Sequence, residues 1–468
     1  MRLFALKNEA LLRLDERVFQ YNVLFWNFYQ RRLRGRLVNY RVLDRVIDDN
    51  AALRRELADL PTGALDGFER LVHRHLSANL EAQHEFLEYW FLGGIERVEV
   101  LVERVFGPTA LDLLRDSFRR YGTFSDEAKR FVEARLIDLE STLKPAMMVQ
   151  GHRGVVRTIN SLIPFLVEQL VYAGVSDGVI PTVAVPSVDP AAIAVVLKTG
   201  SQARGAAWYE RSQTVELSER EFHVFREEGR VYINAGLPLM TLAHEIIGHA
   251  VHGACSTWMP LTVSGADENL TNITSMPAVE GLALEREQFG RAFVRARRDF
   301  LAFEVGPDEI HCRPLANDEL ELALLLNRTE DLERVVGCYT ALLGLKQMDD
   351  PSFDPKVALA EEWDGHLSRS KHALVVKSPV NVIPRSTELV DFLYELSYLL
   401  GPKLLRETIG RAIDAFGNTF VEQHHPLISQ VFATGTWAMP VFGDWVLFAL
   451  ENREAFERES AESLLGAS

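Results

Sequence analysis

The hexapeptide His244-Glu245-Ile246-Ile247-Gly248-His249 constrains this chain more than any other stretch. It reads as part of a helix, with Pro238 suitably placed in the first turn. Two histidines four residues apart share one helical face and suit a metal ion, with a glutamate beside the first as general base. Here the histidines are five residues apart. At about 100° per residue, the second imidazole would sit roughly 140° from the first on a regular α-helix. One π-type turn, bonded i→i+5, would bring them back into line. Gly248 is a weak point in the helix and eases such a distortion. The motif therefore predicts a helix overwound or bulged near Ile246 to Gly248. In a regular helix the same histidines would point apart and be ordinary helix residues.

A catalytic zinc needs three protein ligands and one open position. His252 is a rival to His244, because Glu245, His249 and His252 lie at intervals of four and three on an unbulged helix. Its other reading is a packed or hydrogen-bonding residue behind the ligands. The segment Pro277-Ala278-Val279-Glu280-Gly281-Leu282-Ala283-Leu284-Glu285 opens a further helix. Glu280, 31 residues after His249, is the candidate third ligand, and Gly281 would let two helices approach closely. A lone Glu280 would otherwise be a first-turn residue that complements the helix dipole.

An H-E-x-x-x-H helix followed about thirty residues on by E-G-L-A resembles the tubulin tyrosine carboxypeptidase family of metallopeptidases and its bacterial relatives. These are glutamate-zincins. The resemblance spans roughly residues 230–290. It implies zinc held by His244, His249 and Glu280, and peptide hydrolysis by metal-activated water with Glu245 as general base. Carboxypeptidase activity is the expectation. Tyr398-Leu399-Leu400-Gly401 and His424-His425 are more loosely similar to the C-terminal part of helical metallopeptidases. There a tyrosine or histidine steadies the oxyanion, which makes Tyr398, His424 and His425 the candidates. A core tyrosine and a surface histidine pair are the alternative. In related enzymes the strand before the helix pairs with an extended peptide, which would place Tyr232 and Asn234 at the substrate. A carboxypeptidase also needs a cation for the terminal carboxylate, and Arg204, Arg211, Lys377 and Arg385 lie in loop-like stretches. Competing readings are a zinc-dependent amidase of a small metabolite, iron in place of zinc, and a metal-free helical scaffold.

Helical spacing of apolar residues runs through the first 200 residues, with predicted helices over 66–106, 110–121, 125–148 and 155–173. Short strands are expected at Ala207-Trp208-Tyr209, Thr214-Val215-Glu216-Leu217 and Val231-Tyr232-Ile233-Asn234. Beyond 280 the chain returns to helices through 457, and the last ten residues read as a fraying tail. The expected fold is mainly α, with two helical lobes around a small β-sheet and a central metal-binding helix pair. The expected regions are 1–200, a catalytic core over 201–300, and a C-terminal lobe over 301–468. A net charge of −16 argues against nucleic acid or anionic membrane as a partner, and leaves a peptide or small amide substrate. Arg31-Arg32-Leu33-Arg34-Gly35-Arg36 reads as a solvated helix end. No run of about 18 uncharged apolar residues suggests a membrane span. The first residues lack the apolar core of a signal peptide. Three cysteines without a C-x-x-C pair suit a reducing cytoplasm.

Overall fold

A computed structural model of the chain describes residues 3–33, 40–92, 94–123, 153–181, 184–185, 188–198, 206–209, 212–227, 229–264, 273–305, 311–324, 327, 338, 342–343, 345–347, 350–354 and 385–465. The fold is mainly helical with two small sheets. The predicted helix over 125–148, and Arg204, Arg211 and Lys377, lie outside the described residues; so does the side chain of Arg385, the first residue of a helix. Two compact units are present, and they are not consecutive segments. One comprises residues 1–122, 255–282 and 334–468; the other comprises 123–254 and 283–333. The division falls inside the continuous Met276–Ala296 helix.

The first unit is helical. The expected helix over 66–106 is two helices, Gly67–Leu92 and Ile95–Phe106, broken where Gly94 takes a φ of +102°. Among described residues the C-terminal part runs through Arg385–Phe416, Asn418–Gln423, His425–Ala433, Met439–Glu451 and Arg453–Leu465. Trp437 and Trp445 stack with centroids 4.8 Å apart in its core. Phe4 sits edge-on to Phe68, Trp258, Trp445, Phe448 and Phe456, a favourable aromatic geometry.

The expected fraying tail is helix over 459–465, which corrects that expectation there; 466–468 lie outside the described residues. Glu459 and Ser460 are buried within the Arg453–Leu465 helix. The Glu459 carboxylate accepts from the Leu3 amide at 2.6 Å and the Phe4 amide at 3.1 Å. A contact 456 residues apart in sequence leaves no local trace in the composition.

The second unit holds both sheets and the Arg153–Ser176 helix. That helix contains the described stretch long and apolar enough by composition to cross a membrane. It buries Leu162, Ile163, Leu166, Val167 and Leu170 along one side, as a core helix does. In the first sheet β3 (Thr214–Ser218) is central, parallel to β1 (Ala194–Lys198) and antiparallel to β2 (Ala206–Tyr209). In the second, β4 (His223–Glu227), β5 (Arg230–Asn234), β6 (Ala302–Glu304) and β7 (Cys312–Arg313) pair antiparallel in that order.

The strand preceding the motif helix is therefore interior, and cannot be the edge that receives a peptide. Asn234 donates from Nδ2 to Glu319 O at 2.8 Å and accepts from the Gly236 amide at 2.8 Å. Tyr232 stacks on Phe225, with the Arg313 guanidinium 4.6 Å from its ring centre. Both candidates thus have structural partners. The covering strand β6 spans three residues and β7 two, too few to show the two-residue period of a strand. The expectation of helices beyond 280 is corrected at these two strands.

One buried group of the first unit gives a pH prediction. The Ala438 amide donates to His75 Nδ1 at 2.9 Å, so that nitrogen carries no proton. Nε2 donates to Thr262 O at 3.3 Å. Burial pushes this imidazole down to about 4, against about 6.5 when unfolded. Between those values the unfolded chain holds a proton that the folded chain lacks, so stability falls as pH drops from 6.5 to 4. The group's share is up to about 3 kcal/mol. Urea midpoints of the wild type and His75→Gln should accordingly converge across this window. A gap independent of pH would contradict the assignment.

Candidate metal centre

The motif helix starts just after an Asx turn, in which Asn234 Oδ1 accepts from the Gly236 amide. It runs as α-helix over Gly236–Leu242, becomes a π-helix over Ala243–Ala250, and returns to α-helix over Val251–Ser256. The expected bulge is thus present. It is wider than a local kink, because the whole hexapeptide is π-helical, and it widens the turn instead of overwinding it. The consequence is the alignment that a regular helix denies. His244 Nε2 and His249 Nε2 lie 3.2 Å apart, with the rings 4.9 Å apart and nearly perpendicular.

Glu280 comes from the Met276–Ala296 helix. One donor atom each from His244, His249 and Glu280 lie within 4.8 Å of one another. A tetrahedral ion with bonds near 2.0–2.1 Å separates its ligand atoms by roughly 3.3 Å. The histidine pair already stands at that spacing. His244 and Glu245 are buried, and Glu280 keeps 9% of its surface. Buried carboxylates beside two imidazoles are a costly arrangement that a cation offsets. The donor set therefore fits a divalent metal, and two nitrogens with one carboxylate suit zinc or iron.

Glycines set the spacing. A Cβ on Gly248 would fall 2.7 Å from both Cα and Cβ of Ala283. A Cβ on Gly290 would fall 3.0 Å from the Ala243 Cβ and the Met240 Cα. The Met276–Ala296 helix thus meets the π-helix backbone to backbone. Within the first unit, a Cβ on Gly281 would lie 2.6 Å from the carbonyl carbon of Gly401. The close approach expected of Gly281 is real, and Gly401 of the Arg385–Phe416 helix is what it meets.

The remaining candidates divide. Tyr398 stands one turn before Gly401 on that helix, and its hydroxyl pairs with Tyr394 Oη at 2.5 Å. His424 is a joint between two helices. Its Nδ1 donates to Phe420 O at 2.9 Å, and its ring stacks on Phe420 at 4.1 Å. His424 is not in the metal-binding group, and neither His425 nor His252 joins it. The unbulged set of Glu245, His249 and His252 is replaced by the π-helical one.

Two residues escaped the sequence reading. Tyr394 is the hydroxyl partner of Tyr398. Glu287 accepts from His244 Nδ1 at 2.9 Å. The signal for Glu287 was available: Glu280, Ala283, Glu287, Gly290 and Val294 recur at steps of three and four, one helix face. No protein-family model matches this chain, and no curated protein or solved structure matches it.

The glycine packing is testable. Gly248→Ala should cost about 1–3 kcal/mol of stability, the usual penalty of overpacking. It should also lower zinc affinity at least tenfold in competition with a chromophoric chelator, because the two helices that carry the candidate ligands must part. Gly410→Ala, whose Cβ would meet nothing within 4 Å, should leave affinity unchanged. Equal affinity for all three proteins would dismiss the spacing as a determinant.

Proposed function

We propose that this protein is a zinc-dependent metallopeptidase, of carboxypeptidase type, that hydrolyses the peptide bonds of an extended substrate. One observation carries the reading: two imidazole nitrogens 3.2 Å apart on a π-helix, grouped with the Glu280 carboxylate. The alignment depends on the extra residue of the H-E-x-x-x-H motif. That motif and the E-G-L-A segment are what the chain shares with the tubulin tyrosine carboxypeptidase family, which supplies the carboxypeptidase assignment.

His244, His249 and Glu280 would hold the metal. When bound, zinc lowers the pKa of water to about 7 and polarises a carbonyl. Glu245 follows His244 directly and is buried beside it on the same helix. Its carboxylate takes the proton of the attacking water and returns it to the leaving amine. Tyr398, whose hydroxyl pairs with that of Tyr394, is the proposed donor to the carbonyl oxygen as negative charge develops there.

An extended substrate needs a strand edge. β5 is enclosed, but β2 pairs only with β3 among the described residues and packs against the π-helix. A peptide adding to β2 would run beside the metal ligands through main-chain hydrogen bonds.

The decisive experiment combines metal analysis with turnover. Purified wild type should carry one zinc and release C-terminal residues from a peptide library, read by mass spectrometry. Glu245→Gln should keep its zinc and lose roughly 10²–10⁴-fold in rate, the usual share of a general base. His244→Ala and Glu280→Ala should lose the metal itself. A zinc-loaded Glu245→Gln of normal activity would remove Glu245 from the chemistry. Wild type that binds no zinc, or cleaves only small amides, would remove the peptidase reading.

A further inference from the structure

Behind His244 the second unit holds a connected set of polar contacts. Glu287 is buried, with 4% of its surface exposed. Its Oε1 accepts from His244 Nδ1 at 2.9 Å, and its Oε2 accepts from Asn327 Nδ2 at 3.1 Å. Arg291, one turn further along the same helix, donates from Nε to Asn327 Oδ1 and lies 3.9 Å from Glu287 Oε2. Asn327 is itself 1% exposed, at the end of the apolar run Leu322-Ala323-Leu324-Leu325-Leu326. A buried asparagine in such a run is costly unless its amide is used. Here both ends of the amide are used, on Glu287 and on Arg291.

From these contacts we propose that Glu287 is a positioning residue for the metal ligand His244, and that Asn327 and Arg291 set its orientation in turn. The proposal rests on the metal-centre reading and names what tunes that centre. An imidazole has two nitrogens and a freely turning ring. The Nδ1–H bond to Glu287 fixes the proton on Nδ1 and leaves the Nε2 lone pair facing His249. The ring plane is fixed by the same bond. Glu287 can hold that bond only if its own carboxylate cannot rotate, and Asn327 on the second oxygen prevents rotation. Arg291 prevents Asn327 from turning its amide over, since a flipped amide would aim NH₂ at a guanidinium. The directions of these three hydrogen bonds therefore follow from one cation. The Met276–Ala296 helix would then act twice on the metal: directly through Glu280, and two turns later through Glu287 on His244.

This logic predicts a specific rescue. In Glu287→Gln, one oxygen must serve both His244 Nδ1–H and Asn327 NH₂, so one donor meets another donor. Adding Asn327→Asp removes that conflict. In the double variant the new amide at position 287 accepts from His244 through its oxygen and donates from its NH₂ to the new carboxylate at position 327. That carboxylate in turn accepts from Arg291. Asn327→Asp alone instead sets a second carboxylate against Glu287.

Zinc affinity at fixed pH, by chelator competition, should fall 10–100-fold in Glu287→Gln and also in Asn327→Asp. The double variant should bind at least tenfold more tightly than Glu287→Gln. The visible spectrum of the cobalt-substituted protein should change in each single variant and return toward wild type in the double. Single variants that bind zinc as wild type does would overturn the proposal while leaving the metal centre intact. A double variant no better than Glu287→Gln would overturn the part played by Asn327. Wild type that binds no metal would instead overturn the metal-centre reading, and would be recognised at once. In metal-free protein a downfield imidazole N–H proton resonance, present in wild type and lost in Glu287→Ala, tests the His244 bond separately. Its absence from folded wild type would count against the proposal.

Discussion

The contact that the candidate site depends on is the backbone approach of the Met276–Ala296 helix to the π-helix. It is made at two points, Gly248 on Ala283 and Gly290 on Ala243 and Met240. On the Met276–Ala296 helix these points are seven residues apart, about 10 Å of rise. Two such points fix both the separation and the slide of one helix against the other. No side chain intervenes that could change rotamer and relax the fit. Glu287 lies between the two points in sequence, and Glu280 lies three residues before the first. Both carboxylates inherit the precision of a backbone contact.

That contact also carries an energetic burden. Glu245, Glu280 and Glu287 are all largely withdrawn from water, and an effective penalty of several kcal/mol per buried ion is usual. Hydrogen bonds offset part of this at Glu287. The rest must come from surrounding apolar burial. Leu239, Met240, Leu242, Ile246 and Ile247 have no exposed surface, and each buried side chain of this size contributes about 1.5–3 kcal/mol. The apolar letters of the motif are therefore as necessary as its histidines. A metal held by this group would add to the balance by binding only the folded state.

How much of this was legible depended on the range of the interactions. The π-helix was, because a five-residue histidine interval is arithmetic on a single helix. The nearness of Glu280 to the two histidines was, because it opens the next helix 31 residues on. Glu287 was written in the three-four spacing of its helix but needed the partner face to give it meaning. The interior place of β5 was hidden, since β6 and β7 carry three and two residues. The local contacts of His424 were not legible in the histidine pair: its ring bonds Phe420 O and stacks on the Phe420 ring. Glu459 was beyond any local reading, because its partners are the amides of Leu3 and Phe4.

The extra residue in the motif can now be given a physical reason. A glycine within a helix costs about 1 kcal/mol relative to alanine, and a π-turn is uncommon in its own right. Two unfavourable features at one place call for a shared cause. Gly248 is the residue directly before His249, and it is also where the π-helix touches Ala283. A shorter motif on a regular helix would align its histidines without any bulge, but would have no added position at which to seat a second backbone. With the insertion, the π-turn restores the histidine alignment that the added residue disturbs, and the glycine admits the helix that carries Glu280. Neither irregularity is useful alone. Together they allow His244 and His249 from one helix and Glu280 from its neighbour to offer donor atoms within 4.8 Å of one another, a group that could hold a metal ion.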